Sequence, residues 1–168
     1  MLEAAGVDPT VLEPEIGGDE FVPLMVEWSV TPSVSWRAIW PDGTLCTEIW
    51  IDSVSRRVSE VTILNAPAPA GLRPESTAAV EPGGPVFSLA LFDPTPDLDP
   101  RTEFVDAVCS PSARLVGDWL EISFGDDVPT TWISSETFGF GVDDQRLLIA
   151  IRVQISSVPS SSALLTQQ

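Results

Sequence analysis

Apolar and polar residues alternate in short runs along most of the chain, and Pro, Gly and Asp cut the runs. A period of two sends successive side chains to opposite faces of a strand, so the pattern predicts β-structure rather than helix. Phe21 to Val30 and Val34 to Trp40 read as strands, broken by Pro32 and stopped at the turn triplet Pro41-Asp42-Gly43. Leu45 to Ile51 and Val58 to Leu64 read as the arms of a hairpin, and Val86 to Phe92 as a further strand. The last third reads as a meander: Arg114 to Phe124, Thr130 to Ile133, Thr137 to Val142 and Leu147 to Ile155. Its turns fall at Gly125-Asp126-Asp127 and Asp143-Asp144-Gln145.

One segment departs from period two. Asp99 suits an N-cap, Pro100 the first helical position, and Phe104, Val105 and Val108 an apolar stripe. A short helix is therefore expected near 100–109, ending at Ser110-Pro111-Ser112. Residues 1–20 are acidic and interrupted by Pro9, Pro14, Gly17 and Gly18, and read as an irregular arm. The Pro-, Ala- and Gly-rich segment 65–85 reads as a long loop, and the Ser-rich 156–168 as a frayed tail. The expected fold is mainly β (β-rich α+β): antiparallel sheets or a sandwich built from hairpins, with one short helix, in a single domain over 21–155.

The pattern also echoes itself. Ile51-Asp52 followed by Val58-x-x-Val61-x-Ile63 resembles Val142-Asp143 followed by Leu148-x-x-Ile151-x-Val153. A duplicated hairpin of this kind would place two related sheets face to face.

Alternation assigns faces. Leu45, Ile49, Ile51, Val61 and Ile63 are expected to point into the core. Cys46, Glu48, Trp50, Asp52, Glu60 and Thr62 are then expected outside. On the later strand Leu120, Ile122 and Phe124 point in, and Trp119 and Glu121 out. Trp36 and Trp40 share a face with Val34 and Ala38 and read as core, while Trp28 and Trp132 near strand ends fit either side. Outward Trp residues flanked by carboxylates suggest a binding surface, because exposed Trp is costly and is concentrated at interface hot spots.

Composition sharpens this. The chain has 168 residues, 25 of them acidic against 8 basic, for a net charge of −17. Every basic residue is Arg; Lys, His and Tyr are absent and Asn65 is the sole Asn, a codon bias expected of a GC-rich bacterial genome. Such a charge repels nucleic acid and anionic membrane and favours a basic protein partner. The first residues lack the basic and apolar regions of a signal peptide, and no apolar run is long enough to span a bilayer, so a cytoplasmic location with reduced Cys46 and Cys109 is expected.

Most catalytic chemistry lacks its residues. Without His there is no Ser-His-Asp or Cys-His pair, and neither Lys nor Tyr stands in as a base. No phosphate-loop or GxSxG pattern occurs, and Gly139-Phe140-Gly141 lies in a strand rather than opening a helix. Glu48, Asp52 and Glu60 leave carboxylate-only chemistry of the glycosidase kind, which needs a cleft. Asp93/Asp97/Asp99 and Asp126/Asp127 read as solvated acidic turns before calcium sites. Neither cofactor nor metal is expected, and the protein is read as no enzyme.

The run Gly117-Asp118-Trp119-Leu120-Glu121-Ile122-Ser123-Phe124-Gly125, then Phe138-Gly139-Phe140-Gly141-Val142-Asp143-Asp144 and Leu148-x-x-Ile151-x-Val153, resembles small β-rich immunity proteins encoded beside bacterial polymorphic toxins. The resemblance covers less than about a quarter of the chain. It implies neutralisation of a basic toxin by sequestration and carries over no functional residue. The expected contact residues, from alternation alone, are Glu48, Trp50, Asp52, Glu60, Trp119 and Glu121. Two other readings share the lack of catalytic groups: an accessory subunit of a larger bacterial assembly, and a carbohydrate-binding module with Trp platforms.

Overall fold

The computed structural model describes residues 1–10, 13–19, 22–70, 72–73, 77–92 and 103–158. The first part of the chain forms β1 (Ala4–Asp8), β2 (Glu15–Gly17), β3 (Leu24–Glu27), β4 (Val34–Ile39), β5 (Leu45–Ile51) and β6 (Val58–Ile63). The middle supplies β7 (Leu72–Arg73), β8 (Ala79–Pro82), β9 (Gly84–Phe87) and β10 (Glu103–Val108). The last part forms β11 (Ser112–Val116), β12 (Trp119–Ser123), β13 (Thr131–Ser134), β14 (Phe138–Val142) and β15 (Leu148–Gln154), closed by a 3-10 turn at Ile155–Ser157. The protein is nearly all β.

The strands build a six-stranded sheet, β10-β4-β5-β6-β3-β2, and a seven-stranded sheet, β7-β11-β12-β15-β14-β13-β8. Their inner faces share one core. Trp36, Ile49, Ile51, Val61 and Ile63 of the first sheet meet Leu120, Ile122, Phe138, Phe140 and Val153 of the second. Edge-to-face ring contacts join the layers: Trp36 to Phe124 at 5.3 Å and Trp28 to Phe138 at 5.7 Å. The inward half of each alternating strand thus removes its apolar side chains from water, which is the driving force for stacking two sheets.

The two sheets are the same unit used twice. β2 to β6 are ordered β4-β5-β6-β3-β2, and β11 to β15 are ordered β13-β14-β15-β12-β11. Each unit also receives a parallel strand from the middle of the chain, β10 beside β4 and β8 beside β13. The echo read from sequence marks the matching hairpins. Each has a register shift just before its turn, at Trp50/Ile51 and at Gly141/Val142. In each, an Asp carboxylate accepts backbone N–H groups of the turn: Val54 and Ser55 on Asp52, Gln145 and Leu147 on Asp143. Each turn ends on an Arg with positive φ, Arg56 at 61° and Arg146 at 65°.

A two-stranded ribbon, β1 with β9, ties the turns together. Phe87 N–H donates to the Arg56 carbonyl at 2.9 Å, and Ala4 N–H to the Arg146 carbonyl at 2.8 Å. Ala4 and Phe87 are themselves partners in the ribbon.

Five expectations need correction, the first being the strand expected over Val86 to Phe92, which runs over Gly84–Phe87. The helix expected near 100–109 is a strand over Glu103–Val108; residues 100–102 lie outside the described residues. Phe104 and Val108 are spaced i, i+4, which fits one face of a strand as well as a helix, and in-register pairing with β4 decides it. The arm 1–20 is not irregular, because β1 and β2 pair with β9 and β3. The loop 65–85 contains β7 and β8 and the start of β9. Arg114 to Phe124 is two antiparallel strands turning at Gly117, whose φ of 56° suits glycine. Residues 159–168 of the expected tail lie outside the described residues.

Candidate functional site

Alternation turns one half of the six-stranded sheet away from the core, although Ser35 and Thr62, the latter expected outside, are themselves buried there, and register arranges it in two rows. Across β10, β4, β5, β6, β3 and β2 the first row reads Phe104, Ser35, Trp50, Glu60, Glu27, Glu15. The second reads Asp106, Arg37, Glu48, Thr62, Met25, Gly17. The rows thus carry Glu15, Glu27, Glu48, Glu60 and Asp106 against Arg37 alone.

That cation is engaged. Arg37 Nε donates to Asp106 at 2.6 Å, and its guanidinium lies 3.6 Å from the centre of the Phe104 ring. Ser35 donates to Glu48 Oε1 at 2.8 Å and Thr62 to Glu60 Oε1 at 2.6 Å, so two carboxylates are held upright beside Trp50. Trp50 is half-buried, while Phe104 and Val108 are 51% and 68% exposed. Glu60, Glu27 and Glu15 stand opposite one another on successive antiparallel strands, an arrangement that costs stability.

Asp52 is committed elsewhere. Its hydrogen bond from Ser55 N–H, opposed by partial burial and helped by the Ser55 hydroxyl and Val54 N–H, holds its carboxyl below the usual range. It is a turn former, not a free contact group.

Trp119 and Glu121 belong to the other side of the sandwich. They lie on the outer face of the seven-stranded sheet, so the six expected contact residues do not form one patch. Glu121 is only 3% exposed and accepts from Arg114 Nε at 2.7 Å and from its terminal nitrogen, with Arg152 next in register. The Arg152 guanidinium lies 4.4 Å from the ring centres of both Trp119 and Trp132. Glycines leave the room for this stack. A Cβ on Gly139 would lie 3.0 Å from Arg152 Nε, and one on Gly141 3.0 Å from the Trp132 ring. The aromatic rings here are filled by arginine rather than presented as open platforms.

The residues that sequence reasoning left out are Phe104, Asp106, Glu27, Glu15 and Arg37. Phe104 and Asp106 were read as helical and Glu15 as part of the arm, so the pairing that gathers them had no signal in the local pattern. Cys46, placed outside by alternation, is fully buried because the β4–β5 register shifts opposite it, between Ala38 and Ile39. Trp28 and Trp132 pack inward or under Arg152, and Trp40, expected in the core, is half-buried with its indole N–H on the Asn65 carbonyl at 3.3 Å.

A cavity of about 280 Å³ opens between the ribbon and the core, lined by Trp28, Val30, Val58, Pro85 and Phe140 with Thr10, Ser29 and Arg57. Its one cation, Arg57, is paired with Asp8. Glu48, Asp52 and Glu60 do not line it, and they stand on an open sheet face and a turn rather than across a cleft. Among the described residues no three His, Cys, Asp or Glu side chains converge as metal ligands, and no helix is long and apolar enough to cross a membrane. Asp93, Asp97 and Asp99 lie outside the described residues. No protein-family model matches the chain, and no curated protein matches it in sequence.

Proposed function

We propose that the protein is a non-catalytic binding protein that captures a basic protein partner on the outer face of its six-stranded sheet. The most concrete form is a bacterial immunity protein that sequesters a basic toxin in the cytoplasm. The observation that carries this reading is the pair of rows in which five carboxylates share one sheet face with Trp50 and Phe104, with one arginine among them already paired. Glu60, Glu27 and Glu15 oppose one another at a cost to the fold, and a cationic partner turns that repulsion into attraction. The net charge of −17 extends the attraction beyond contact and speeds capture, as sequestration requires.

The experiment is a measurement of the association rate with the captured partner from low to ~1 M salt, where the Debye length falls to about 3 Å. The rate is expected to fall steeply with salt; a rate indifferent to salt contradicts the reading.

A further inference from the structure

Sheet edges are exposed templates for further strands, and most proteins blunt them with proline, charged residues (lysine above all), bulges or brevity. Of the four outer edges that the two large sheets have among the described residues, three are blunted. β2 has three residues and follows Pro14; β7 has two; β8 ends on Pro82. The fourth is β10, with six residues, Glu-Phe-Val-Asp-Ala-Val, free of proline and of basic side chains and in unbroken register with β4.

The backbone polarity of β10 is fixed. In a parallel ladder the N–H and C=O of alternate residues point to alternate sides. Cys109 N–H donates to the Ile39 carbonyl at 2.9 Å, which assigns the odd-numbered positions, Val105 and Ala107, to β4. The N–H and C=O groups of Phe104, Asp106 and Val108 therefore face the open side, where no described strand pairs with them. Their side chains are also those on the acidic outer face, with Phe104 and Val108 exposed.

We propose that β10 is the acceptor edge onto which an extended basic segment of the partner adds as a further strand of the six-stranded sheet. The inference rests on the acidic-face reading above. Backbone pairing supplies affinity without sequence, and the net charge of −17 favours a basic segment as the occupant. A second copy of this chain is disfavoured as occupant, since two chains of net −17 repel each other along the same edge.

The test uses the whole chain, uniformly labelled, with a ten-residue peptide alternating Arg and Val and a control alternating Glu and Val. Amide exchange is read residue by residue. The Arg–Val peptide is expected to bind saturably and to protect the Phe104, Asp106 and Val108 amides, whereas the Glu–Val peptide does neither. Val108→Pro removes an open-side donor while sparing the β4 ladder, and it is expected to abolish that binding with the thermal midpoint retained. Binding of the Arg–Val peptide that is weakened by Glu27→Lys, yet leaves the three amides unprotected and survives Val108→Pro, overturns strand addition and leaves the acidic-face reading standing. No binding of any basic probe overturns both. Protection of the same amides that rises with protein concentration alone identifies a second copy as occupant and overturns the proposal.

Discussion

At the scale of single residues, side chains are held by specific local chemistry, and three of these arrangements make predictions. Gly141 lies beneath Trp132, and a Cβ there would come within 2.6 Å of the Pro129 ring. Gly141→Ala is expected to destabilise by about 1–3 kcal/mol, as overpacked sites do, visible as a lower urea midpoint with unchanged slope. Burial pushes the Cys46 thiol up to about 11, eased only partly by Thr47, and burial also raises Cys109. Cys46 should not react with an alkylating agent at pH 8 in the native protein, and half-buried Cys109 should react more slowly than it does in denaturant; rapid native labelling of Cys46 by mass spectrometry would contradict its placement.

Asp52 illustrates the pH behaviour. Its folded pKa is depressed, so its contribution is full above the unfolded value of about 4 and is lost as pH falls through the folded one. Asp8, held low chiefly by the Thr10 hydroxyl, behaves alike, as does Glu13, whose burial is outweighed by hydrogen bonds from Glu136 N–H and Thr137. Asp52→Asn keeps an acceptor for the turn but removes the titration. Its loss of stability on acidification below pH 4 should be shallower than in the wild type; identical acid profiles would show that the turn carboxylate is not linked to folding.

At the scale of elements, the strands of strong alternation were legible and those made by pairing were not. Leu45–Ile51, Val58–Ile63, Thr131–Ser134, Phe138–Val142 and Leu148–Gln154 fall where period two places them, because one face of each is core. Ala4–Asp8 and Ala79–Pro82 are short and rich in Gly, Pro and Ala, and exist as strands because neighbours supply the ladder. Glu103–Val108 carries a real cap signal upstream, yet β4 offers an edge that local propensity cannot anticipate. The candidate site suffered for the same reason. Glu48, Trp50 and Glu60 follow from one hairpin, and its flanking strands β4 and β3 from alternation, but the two edge strands that complete the face, β10 and β2, fall in segments that read as helix and arm. The opposing glutamates make the element-scale prediction. Glu27→Lys should raise the thermal midpoint, worth up to about 1 kcal/mol, while weakening partner capture. A variant that gains affinity and loses stability would reverse the argument.

At the scale of the molecule, one five-stranded unit appears twice, back to back, with its hairpin turns clamped by the β1–β9 ribbon. The two outer faces have nevertheless diverged in chemistry. On the outer face of the seven-stranded sheet Arg114 pairs with Glu121 and Arg152 stacks on two tryptophans, beside a cavity of about 140 Å³ lined by Val80, Val116 and Trp119. The six-stranded sheet leaves carboxylates, Phe104 and Val108 in water. Similarity of fold is thus accompanied by divergence of surface, and the proposed binding face rests on that divergence.

The direct test of that assignment is affinity capture from native lysate with three proteins: the wild type, the double variant Trp50→Ala/Glu27→Lys, and Trp119→Ala on the opposite face. A single basic protein retained at low salt by the wild type and by Trp119→Ala, and lost by the double variant, is the predicted result. Retention by the double variant, or loss through Trp119→Ala alone, would contradict it and move the binding face to the other sheet.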